Sequence, residues 1–509
     1  MFKSLKLLII GLDGGDFSTL SKWIDAGCMP NLKNIMDSGV TADLLSTIPP
    51  VTAPAWTSFM TGLNPGRHGL FSFFNYKHGF ENPGLYSLKD IPSPRIWDYL
   101  NQGGLKVGVA DLPLTYPPSP LDGVLVSNLM TAGRKHAVTY PEELKEELNK
   151  DLSISFDSDI LDNLSQTTRY MKQLIGSVKE KQRMDAYLID RYKLDCYITV
   201  YSHTDTFQHY FWKYFDEFHP LYDMKKSKKF YPFFNKFFRQ IDEAVQNLCQ
   251  FLDKESFVIF VSDHGFGPLY RVVNMNRFLS ELGYISFKQD SEARKKGSLQ
   301  NLDTRKLLGF LSRLDVFKLK DRMDQKLRHK IKSRLEHTFS PEIDYDRSLA
   351  FFGHSMDQGI FIKRDHPKIK YDQRKFEQIR EKLRSCLEAL KDPLTGIRIF
   401  EALHFPENIY SGDKKQSAPD ILLSATRGYF CHSGISSHKI VENQHREFAS
   451  GDHRPRGIFI AKGKNLKKNK SVDEVHIMDI LPTVLKICGL SIPQGLDGRV
   501  ASQIFAKGK

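Results

Sequence analysis

Six aspartate and histidine side chains stand beside apolar runs of this 509-residue chain. They are Asp13, Asp205, His209, Asp263, His264 and His453. Carboxylate oxygens and imidazole nitrogens together are the ligands that suit Zn²⁺ and similar divalent ions. Six such ligands suffice for two ions, and this mixture predicts a metal centre.

Each of these residues also has a structural interpretation when it is taken alone. An Asp after a strand often caps a helix or belongs to a turn. His209 lies in the aromatic segment DTFQHYFWKYF, where a packed histidine is the common outcome. His453 lies in a Gly/Arg/Pro loop and could be exposed to solvent. The hypothesis therefore depends on the whole set.

Continuous apolar runs alternate with helical patterns along the chain. The runs include LKLLIIGL, KVGVADL, CYITVYS, FVIFV, PDILLSA and GIFIA. Helical patterns start near Ser18, near Asp162, at Phe233 and at Asp479. Strands that are apolar on both faces and alternate with helices predict an α/β fold with a mainly parallel sheet between helix layers. Ligands of such sheets bind beyond the carboxyl ends of the strands, where Asp13, Asp263 and His264 would lie.

A metal centre of this kind needs a nucleophile. The segment PPVTAPAWTSFMTGLNPGRHG contains four hydroxyl side chains: Thr52, Thr57, Ser58 and Thr61. A threonine hydroxyl attacks only when a base or a metal ion lowers its pKa.

At these residues the chain resembles the alkaline phosphatase superfamily, and within it the type I phosphodiesterase and nucleotide pyrophosphatase branch. Asp13-Gly14 matches the Asp-Gly after the first strand, and TGLNPGRHG matches a T-G-x-x-P-x-x-H-G stretch. Asp205 and His209 match D-x-x-x-H, Asp263-His264-Gly265 matches D-H-G, and Gly451-Asp452-His453 matches G-x-H. The nucleophile of the branch stands nine residues before the Thr of the first stretch, which is Thr52 here.

The resemblance implies an alkaline-phosphatase-like core and two divalent ions, with zinc preferred and manganese next. One ion would be held by Asp205, His209 and His453. The other would be held by Asp13, Asp263 and His264 together with the Thr52 oxygen. Thr52 would then form a phosphothreonine intermediate.

One position departs from the branch. Its pyrophosphatase members carry an Asn three residues after the nucleophile, whereas this chain has Ala55. Loss of such a donor weakens transition-state stabilisation by roughly 3 kcal/mol unless another group replaces it. Backbone N–H groups, Arg67 and Arg454 are the candidate replacements. The arylsulfatase branch is disfavoured because VTAPA lacks its Cys or Ser nucleophile context.

The chain has a formal net charge of +13, and a segment from Arg294 to Arg334 is rich in lysine and arginine. We predict a catalytic core over 1–285 and 345–509 and a basic helical insertion over 286–344. The insertion would be a solvated face, with docking of nucleic acid or lipid as the alternative. The six scattered cysteines and the absence of a long apolar run predict an intracellular, cytoplasmic protein without a transmembrane segment. The oligomeric state is not readable.

The sequence thus predicts a metal-dependent phosphohydrolase, a phosphodiesterase or pyrophosphatase that acts on a phosphorylated small molecule, lipid or glycan. A phosphotransferase or phosphomutase on the same scaffold is one alternative. A non-catalytic protein that binds a polyanion or membrane and has a structural metal site is the other. Five aromatic residues surround the nucleophile segment and predict core packing, with an aromatic slot for a leaving group as the alternative: Trp56, Phe59, Phe71, Phe73 and Phe74.

Overall fold

The structure is a computed structural model, and it describes residues 4–127, 138–152, 167–288, 343–435, 437–444 and 449–506. The predicted basic insertion, 286–344, lies almost wholly outside these residues and stays a prediction, as does the core boundary. No helix in the described ranges is long and apolar enough to cross a membrane. All six cysteines are free thiols, and the cytoplasmic location also stays a prediction.

The described residues form twenty strands and thirteen α-helices, numbered here in chain order. The strands are β1 (Leu5–Leu12), β2 (Val40–Leu45), β3 (Phe74–Asn75), β4 (Gly84–Leu85), β5 (Val107–Ala110), β6 (Gly123–Val126), β7 (Thr139–Tyr140), β8 (Cys196–Tyr201), β9 (Leu252–Val261), β10 (Gly265–Asn274), β11 (Ala350–Phe352), β12 (Gly359–Ile362), β13 (Phe400–His404), β14 (Ile421–Ala425), β15 (Gly428–His432), β16 (Val441–Asn443), β17 (Gly451–Arg454), β18 (Arg456–Lys462), β19 (Lys470–Ser471) and β20 (Val475–His476). The helices are α1 (Phe17–Asp25), α2 (Pro30–Ser38), α3 (Thr52–Thr61), α4 (Pro65–His68), α5 (Ile96–Gln102), α6 (Leu144–Leu152), α7 (Thr167–Tyr192), α8 (His203–Phe215), α9 (Met224–Cys249), α10 (Met275–Glu281), α11 (Gln373–Ala389), α12 (Pro406–Ile409) and α13 (Ile480–Ile487).

The largest sheet has ten strands, in the order β19-β2-β18-β9-β1-β8-β5-β6-β7, with β20 also paired to β2. Its centre is parallel, because β1 pairs in parallel with both β8 and β9, and β5 with β8 and β6. Large apolar clusters cover both faces: one includes Trp23, Phe207 and Phe238 and the other includes Trp56, Phe59 and Trp97. The predicted α/β fold with a mainly parallel sheet between helix layers is confirmed.

Smaller sheets flank the large one. Strands β15, β10 and β16 form one of them, with β17 also paired to β10. Strands β11, β12, β14 and β13 form an antiparallel sheet with its own apolar cluster, against which α11 packs through Phe376 and Leu383. The run PDILLSA is a strand as predicted, but it is β14 of this separate antiparallel sheet. Its apolar pattern indicated burial and carried no information on which sheet it joins.

The four predicted helices are present as α1, α7, α9 and α13, and one of them is longer than its pattern indicated. The predicted start of α7 near Asp162 lies outside the described residues. Helix α9 begins at Met224, capped by the Asp223 carboxylate, although the prediction began after Pro232. Pro232 is the ninth residue of α9, so this proline does not mark the start of the helix. The Asp479 carboxylate does not cap α13. It accepts instead from the backbone N–H groups of His476 and Arg499. These hydrogen bonds connect the chain segments before and after that helix.

Candidate active site

Three adjacent parallel strands end at one edge of the large sheet and bring the first candidate residues together. In the register of the sheet, Leu12 at the end of β1 lies beside Tyr201 at the end of β8, and Gly11 lies beside Val261 at the end of β9. Asp13 therefore emerges between the segments that follow β8 and β9. This is the edge at which α/β sheets bind their ligands, as the sequence predicted.

The first group consists of Asp205, His209 and His453, whose ligand atoms all lie within 4.8 Å of one another. Asp205 and His209 lie one turn apart on α8, so both side chains are on one face of that helix. His453 comes from β17, which pairs antiparallel with β10 so that His453 lies opposite Phe266. Strand β10 begins directly after His264. The pairing of β17 with β10 therefore places His453 close to His264 at the edge of the sheet.

The hydrogen bonds of the two histidines in this group fix their ring orientation. His209 Nδ1 lies 2.9 Å from the Gly451 carbonyl oxygen, and His453 Nδ1 lies 3.1 Å from the Pro50 carbonyl oxygen. Both Nδ1 atoms must donate, because a carbonyl oxygen only accepts. The two Nε2 atoms then point at each other across 3.0 Å and at Asp205 Oδ1 across 3.3 and 3.2 Å. A proton or a metal ion must separate these atoms, and metal-bound histidines are oriented in this way.

The second group consists of Asp13, Asp205 and His264. His264 Nε2 lies 3.7 Å from Asp13 Oδ1 and 3.2 Å from Asp263 Oδ2, while its Nδ1 faces the Gly265 carbonyl oxygen at 3.1 Å. The resemblance implied Asp263 in this set. Asp263 lies beside it, and Asp205 is within reach of both groups.

Three buried carboxylate oxygens in this centre have no hydrogen-bond partner among the described residues: Asp13 Oδ1, Asp205 Oδ1 and Asp263 Oδ2. A buried carboxylate oxygen without a partner is costly. These oxygens lie near the Nε2 atoms of three histidines, His209, His453 and His264. The donor set therefore fits divalent cations with mixed oxygen and nitrogen ligands.

The pKa values of these side chains also indicate that the centre favours bound positive charge. Burial, and then the neighbouring Asp263 and Asp205 carboxylates, raise the pKa of Asp13 well above its usual range. Burial is also the main cause that raises the pKa of Asp263 to about 7. Burial alone would lower the pKa of His209, but the Asp205 carboxylate, together with the Asp452 carboxylate and the Gly451 carbonyl oxygen, raises that pKa to about 9. Protons are thus drawn into the space that cations would fill.

Thr52 is the first residue of α3, and its side chain lies at this centre. Its Oγ1 is 3.4 Å from His264 Nε2, and the residue is 7% exposed. Val51 before it offers no side-chain cap to the helix. Pro54 has no N–H, and the Ala55 N–H donates to the Val51 carbonyl oxygen at 3.1 Å. The backbone N–H groups of Thr52 and Ala53 therefore remain for an anion, which the helix dipole favours. The other hydroxyls of the segment are engaged: Thr57 and Thr61 donate to backbone carbonyls within α3, and Ser58 contacts His68.

The arginines considered as substitutes for a donor at Ala55 are bound elsewhere. Arg67 donates to the Gly495 carbonyl oxygen and lies 3.6 Å from Asp497. Arg454 donates to the carbonyl oxygens of His453, at 2.8 Å, and Pro268, at 3.1 Å. Both guanidinium groups therefore donate to backbone carbonyl oxygens, and the buried Arg454 Nε atom has no hydrogen-bond partner among the described residues.

Trp56 supports the site in a way that the sequence analysis missed. Its indole Nε1 donates to Asp13 Oδ2 at 3.3 Å. Trp56 is four residues after Thr52, so both lie on one face of α3. This spacing was visible in the sequence and could have indicated the contact.

The aromatic residues around Thr52 are mainly core residues. Trp56, Phe59, Phe71 and Phe73 are buried, and Phe74 is half-buried with its ring 4.2 Å from the ring of His354. Core packing, the interpretation that the sequence favoured, accounts for four of the five.

Comparison with known proteins gives the family. The family model described as "Type I phosphodiesterase / nucleotide pyrophosphatase" matches residues 7–453. In solved structures, the chain is similar to murine ectonucleotide pyrophosphatase/phosphodiesterase 5, with 13% identity, 97% of each chain covered and a TM-score of 0.51. It is equally similar to the human protein of that name, with 14% identity, 96% of each chain covered and a TM-score of 0.51. No curated protein matches the chain.

The chain belongs to the type I phosphodiesterase / nucleotide pyrophosphatase family, and it is a hydrolase of phosphoester bonds. The match covers Asp13 to His453 and so includes every candidate ligand. At these identities the two solved structures support the fold alone, and that fold is the alkaline-phosphatase-like core that the resemblance predicted.

Proposed function

We propose that this member of the type I phosphodiesterase / nucleotide pyrophosphatase family cleaves phosphodiester or pyrophosphate bonds by attack of Thr52 on phosphorus, at a centre that holds two divalent metal ions. The observation that carries the proposal is the position of Thr52 Oγ1. It lies at a helix N-terminus, 3.4 Å from His264 Nε2, among buried carboxylate oxygens without partners.

The two candidate groups assign the ligands. Asp205, His209 and His453 would hold one ion, and Asp13, Asp263 and His264 the other, with Asp205 in reach of both. Zinc suits this mixture of oxygen and nitrogen donors best, and manganese is next. When bound, such ions lower the pKa of a hydroxyl group and neutralise phosphoryl oxygens.

The residues of the chain then divide the work of an in-line displacement. Thr52 Oγ1 forms a bond to phosphorus, its proton passes to solvent, and the leaving oxygen departs with the electron pair of the broken P–O bond. Water later cleaves the phosphothreonine and returns the hydroxyl. The first turn of α3 presents backbone N–H groups and the positive end of its dipole to the phosphoryl oxygens, which replaces in part the donor that Ala55 lacks.

The substrate class follows from the family. The solved murine relative is an inactive threonine-to-alanine variant in complex with AMP. We propose that this chain likewise accepts a phosphoryl group esterified to an organic moiety. Diester cleavage is the primary activity, and the AMP complex of the relative makes nucleotide esters the first natural candidates to assay.

The test combines metal content with hydrolysis. Protein purified without added metal would be analysed by mass spectrometry for metals and assayed with bis-p-nitrophenyl phosphate and p-nitrophenyl phosphate, as wild type and as Thr52→Ala. We expect about two ions per chain and faster cleavage of the diester. Thr52→Ala should keep metal and lose activity by at least about 1,000-fold, as expected for loss of a nucleophile.

Thr57→Ala is the matched control, because it removes a hydroxyl from the same helix whose partner is the Ala53 carbonyl oxygen. It should keep most of the activity. Added glycerol tests the phosphotransferase alternative, since transfer from the diester would yield glyceryl p-nitrophenyl phosphate in place of p-nitrophenyl phosphate. Undiminished diesterase activity in Thr52→Ala would remove the nucleophile assignment.

A further inference from the structure

The turn between α8 and α9 exposes apolar side chains that the catalytic centre does not use. Phe218 is 89% exposed, the highest value among the large apolar residues of the described chain, and Met224 nearby is 60% exposed. A large exposed apolar group that the fold does not bury commonly marks an interaction surface.

This turn is built to present Phe218. The Phe218 backbone N–H donates to Asp216 Oδ1 at 3.0 Å. The next residue, His219, is only 3% exposed and accepts at Nδ1 from the Leu221 N–H. Its Nε2 then donates to the carbonyl oxygens of Leu269 and Ser450, at 2.9 and 3.1 Å. The exposure of the Phe218 ring is therefore imposed by a fixed backbone.

Cationic side chains follow Met224 along the chain. Helix α9 opens with MKKSKKF, and the four lysines of this opening segment are exposed: Lys225, Lys226, Lys228 and Lys229. Lys229 also lines a groove of about 510 Å³ together with Arg169, Lys172 and Phe230. Glu217, beside Phe218, is the exposed carboxylate of this turn, whereas the carboxylates of Asp216 and Asp223 are half-buried and accept hydrogen bonds within the fold. Four exposed lysines thus outnumber one exposed carboxylate. Positive charge therefore dominates the solvent side.

We propose that this surface, Phe218 and Met224 with the four lysines that open α9 and the adjoining basic groove, docks on an anionic phospholipid bilayer. Apolar side chains at the tip would enter the boundary between headgroups and acyl chains, while lysine ammonium groups remain at the level of the lipid phosphates. Each lysine near such a surface adds electrostatic attraction. The proposal does not depend on the proposed catalytic function.

The composition of the surface favours a bilayer over a nucleic acid. Met224 has no π-face on which a base could stack. The four cations of the opening segment MKKSKKF are all lysines, and Arg169 is the one arginine of the adjoining groove. Lysines act as point charges and lack the planar fork by which arginine reads phosphate and base geometry. Exposed apolar side chains followed by a run of exposed lysines match the two needs of a lipid interface, apolar contact and positive charge.

Docking would also orient the catalytic centre. Helix α8 carries Asp205 and His209 in its first half and leads directly into the turn at Phe218. Its 13 residues span about 20 Å at roughly 1.5 Å per residue. One rigid element therefore links the docking surface to the metal ligands, so a docked chain would hold its centre at a fixed distance from the membrane.

The experiment measures binding of the full chain to vesicles of phosphatidylcholine alone and of phosphatidylcholine with 30% phosphatidylserine, by co-sedimentation. We expect binding to the anionic vesicles that weakens with salt. Lys225→Glu/Lys228→Glu should weaken it by about tenfold or more, because two attractions become repulsions. Phe218→Ser should weaken it by about tenfold, because the apolar contribution of the ring is lost.

Lys375→Glu/Lys382→Glu is the matched control, since it makes the same charge change at exposed lysines of α11. It should weaken binding far less than the α9 pair. Thermal melting checks that each variant is folded. An equal effect of the two pairs would assign binding to net charge and overturn the proposal.

Position is tested separately with Phe218→Trp, because the segment 294–334 is also rich in lysine and arginine. The four native tryptophans are at most 5% exposed. Brominated lipids should therefore quench the new tryptophan and leave the wild-type emission nearly unchanged. Bound protein without such quenching would contradict docking at Phe218. Binding of a labelled single-stranded oligonucleotide, in the absence of vesicle binding, would identify a nucleic-acid surface instead.

Discussion

His209 and His453 lie 244 residues apart in the chain, yet their Nε2 atoms are 3.0 Å apart. Each ring has its Nδ1 on a backbone carbonyl oxygen, one of Gly451 and one of Pro50. The backbone thus holds two imidazoles with their second nitrogens facing one another and a carboxylate. This arrangement is unfavourable unless something positive lies between them, and this makes it the strongest structural argument for a metal ion.

Replacement of either histidine should remove one metal ion. For His209→Ala and His453→Ala we expect the metal content to fall by about one ion per chain. Diesterase activity should fall by at least about 100-fold, since a catalytic ion contributes several kcal/mol. His366→Ala is the control. Its imidazole contacts the Arg347 carbonyl oxygen, and it belongs to neither candidate ligand group. Unchanged metal content in both site variants would exclude this group as a ligand set.

Trp56→Phe should weaken the second group without removing a ligand. The change keeps a buried aromatic ring but deletes the indole N–H that donates to Asp13 Oδ2. Partners of ligating carboxylates typically contribute 10- to 100-fold to metal affinity, so we expect about a tenfold rise in the free metal concentration needed for half-maximal activity. Trp97→Phe is a close control, because the Trp97 N–H has no hydrogen-bond partner in the described structure. Equal metal requirements in the two variants would contradict the role of Trp56.

The sequence predicted the parts of this centre that follow from strand ends. Asp13 and Asp263 come directly after continuous apolar runs, and parallel strands place their carboxyl ends together. His453 was a candidate because it lies shortly before the run GIFIA, and the resemblance selected Thr52 among the four hydroxyls of its segment. Neither indicated that Asp205 is within reach of both groups, since that depends on how α8 leaves the sheet.

The flanking sheets were less predictable. An apolar run such as PDILLSA reports burial, and its partners depend on contacts with distant residues such as Gly359 and Leu403. Helix α9 shows a similar limit, because a proline such as Pro232 is typical of a helix boundary, yet here it is the ninth residue of the helix. Tertiary packing decided both cases.

Asp357 should make stability depend on pH. Burial raises the pKa of its carboxyl to about 6, although hydrogen bonds from Ser72, Tyr76 and the His354 N–H oppose this. Because the folded pKa lies above the unfolded one, the native state binds the proton more tightly, and stability falls as pH rises from about 4 to about 6. Asp357→Asn removes this dependence. Relative to wild type, the variant should gain about 2 to 3 kcal/mol of unfolding free energy between pH 4 and pH 8, at about 1.4 kcal/mol per pKa unit.

Urea unfolding at both pH values measures this gain for Asp357→Asn. Asp346→Asn, at a carboxylate whose side chain is 94% exposed, controls for the loss of one negative charge. A constant difference between Asp357→Asn and wild type at the two pH values would show that Asp357 does not hold a proton in the native state.

Lys181→Met should destabilise the fold more than any exposed charge change on the same helix. Lys181 is buried on α7 and lies 2.8 Å from Asp111 Oδ2 and 3.3 Å from Asp185 Oδ1. The Asp185 carboxylate also accepts from the hydroxyls of Tyr197 and Tyr201. Without Lys181 it would be left as a buried, uncompensated charge, which typically costs about 3 to 5 kcal/mol. Lys193→Met, just beyond α7, breaks an exposed pair with Asp190 and should cost at most about 1 kcal/mol. Equal unfolding free energies for the two variants would contradict this assignment, whereas a deficit confined to Lys181→Met would establish the buried ion pair as a structural requirement of the sheet beside the catalytic centre.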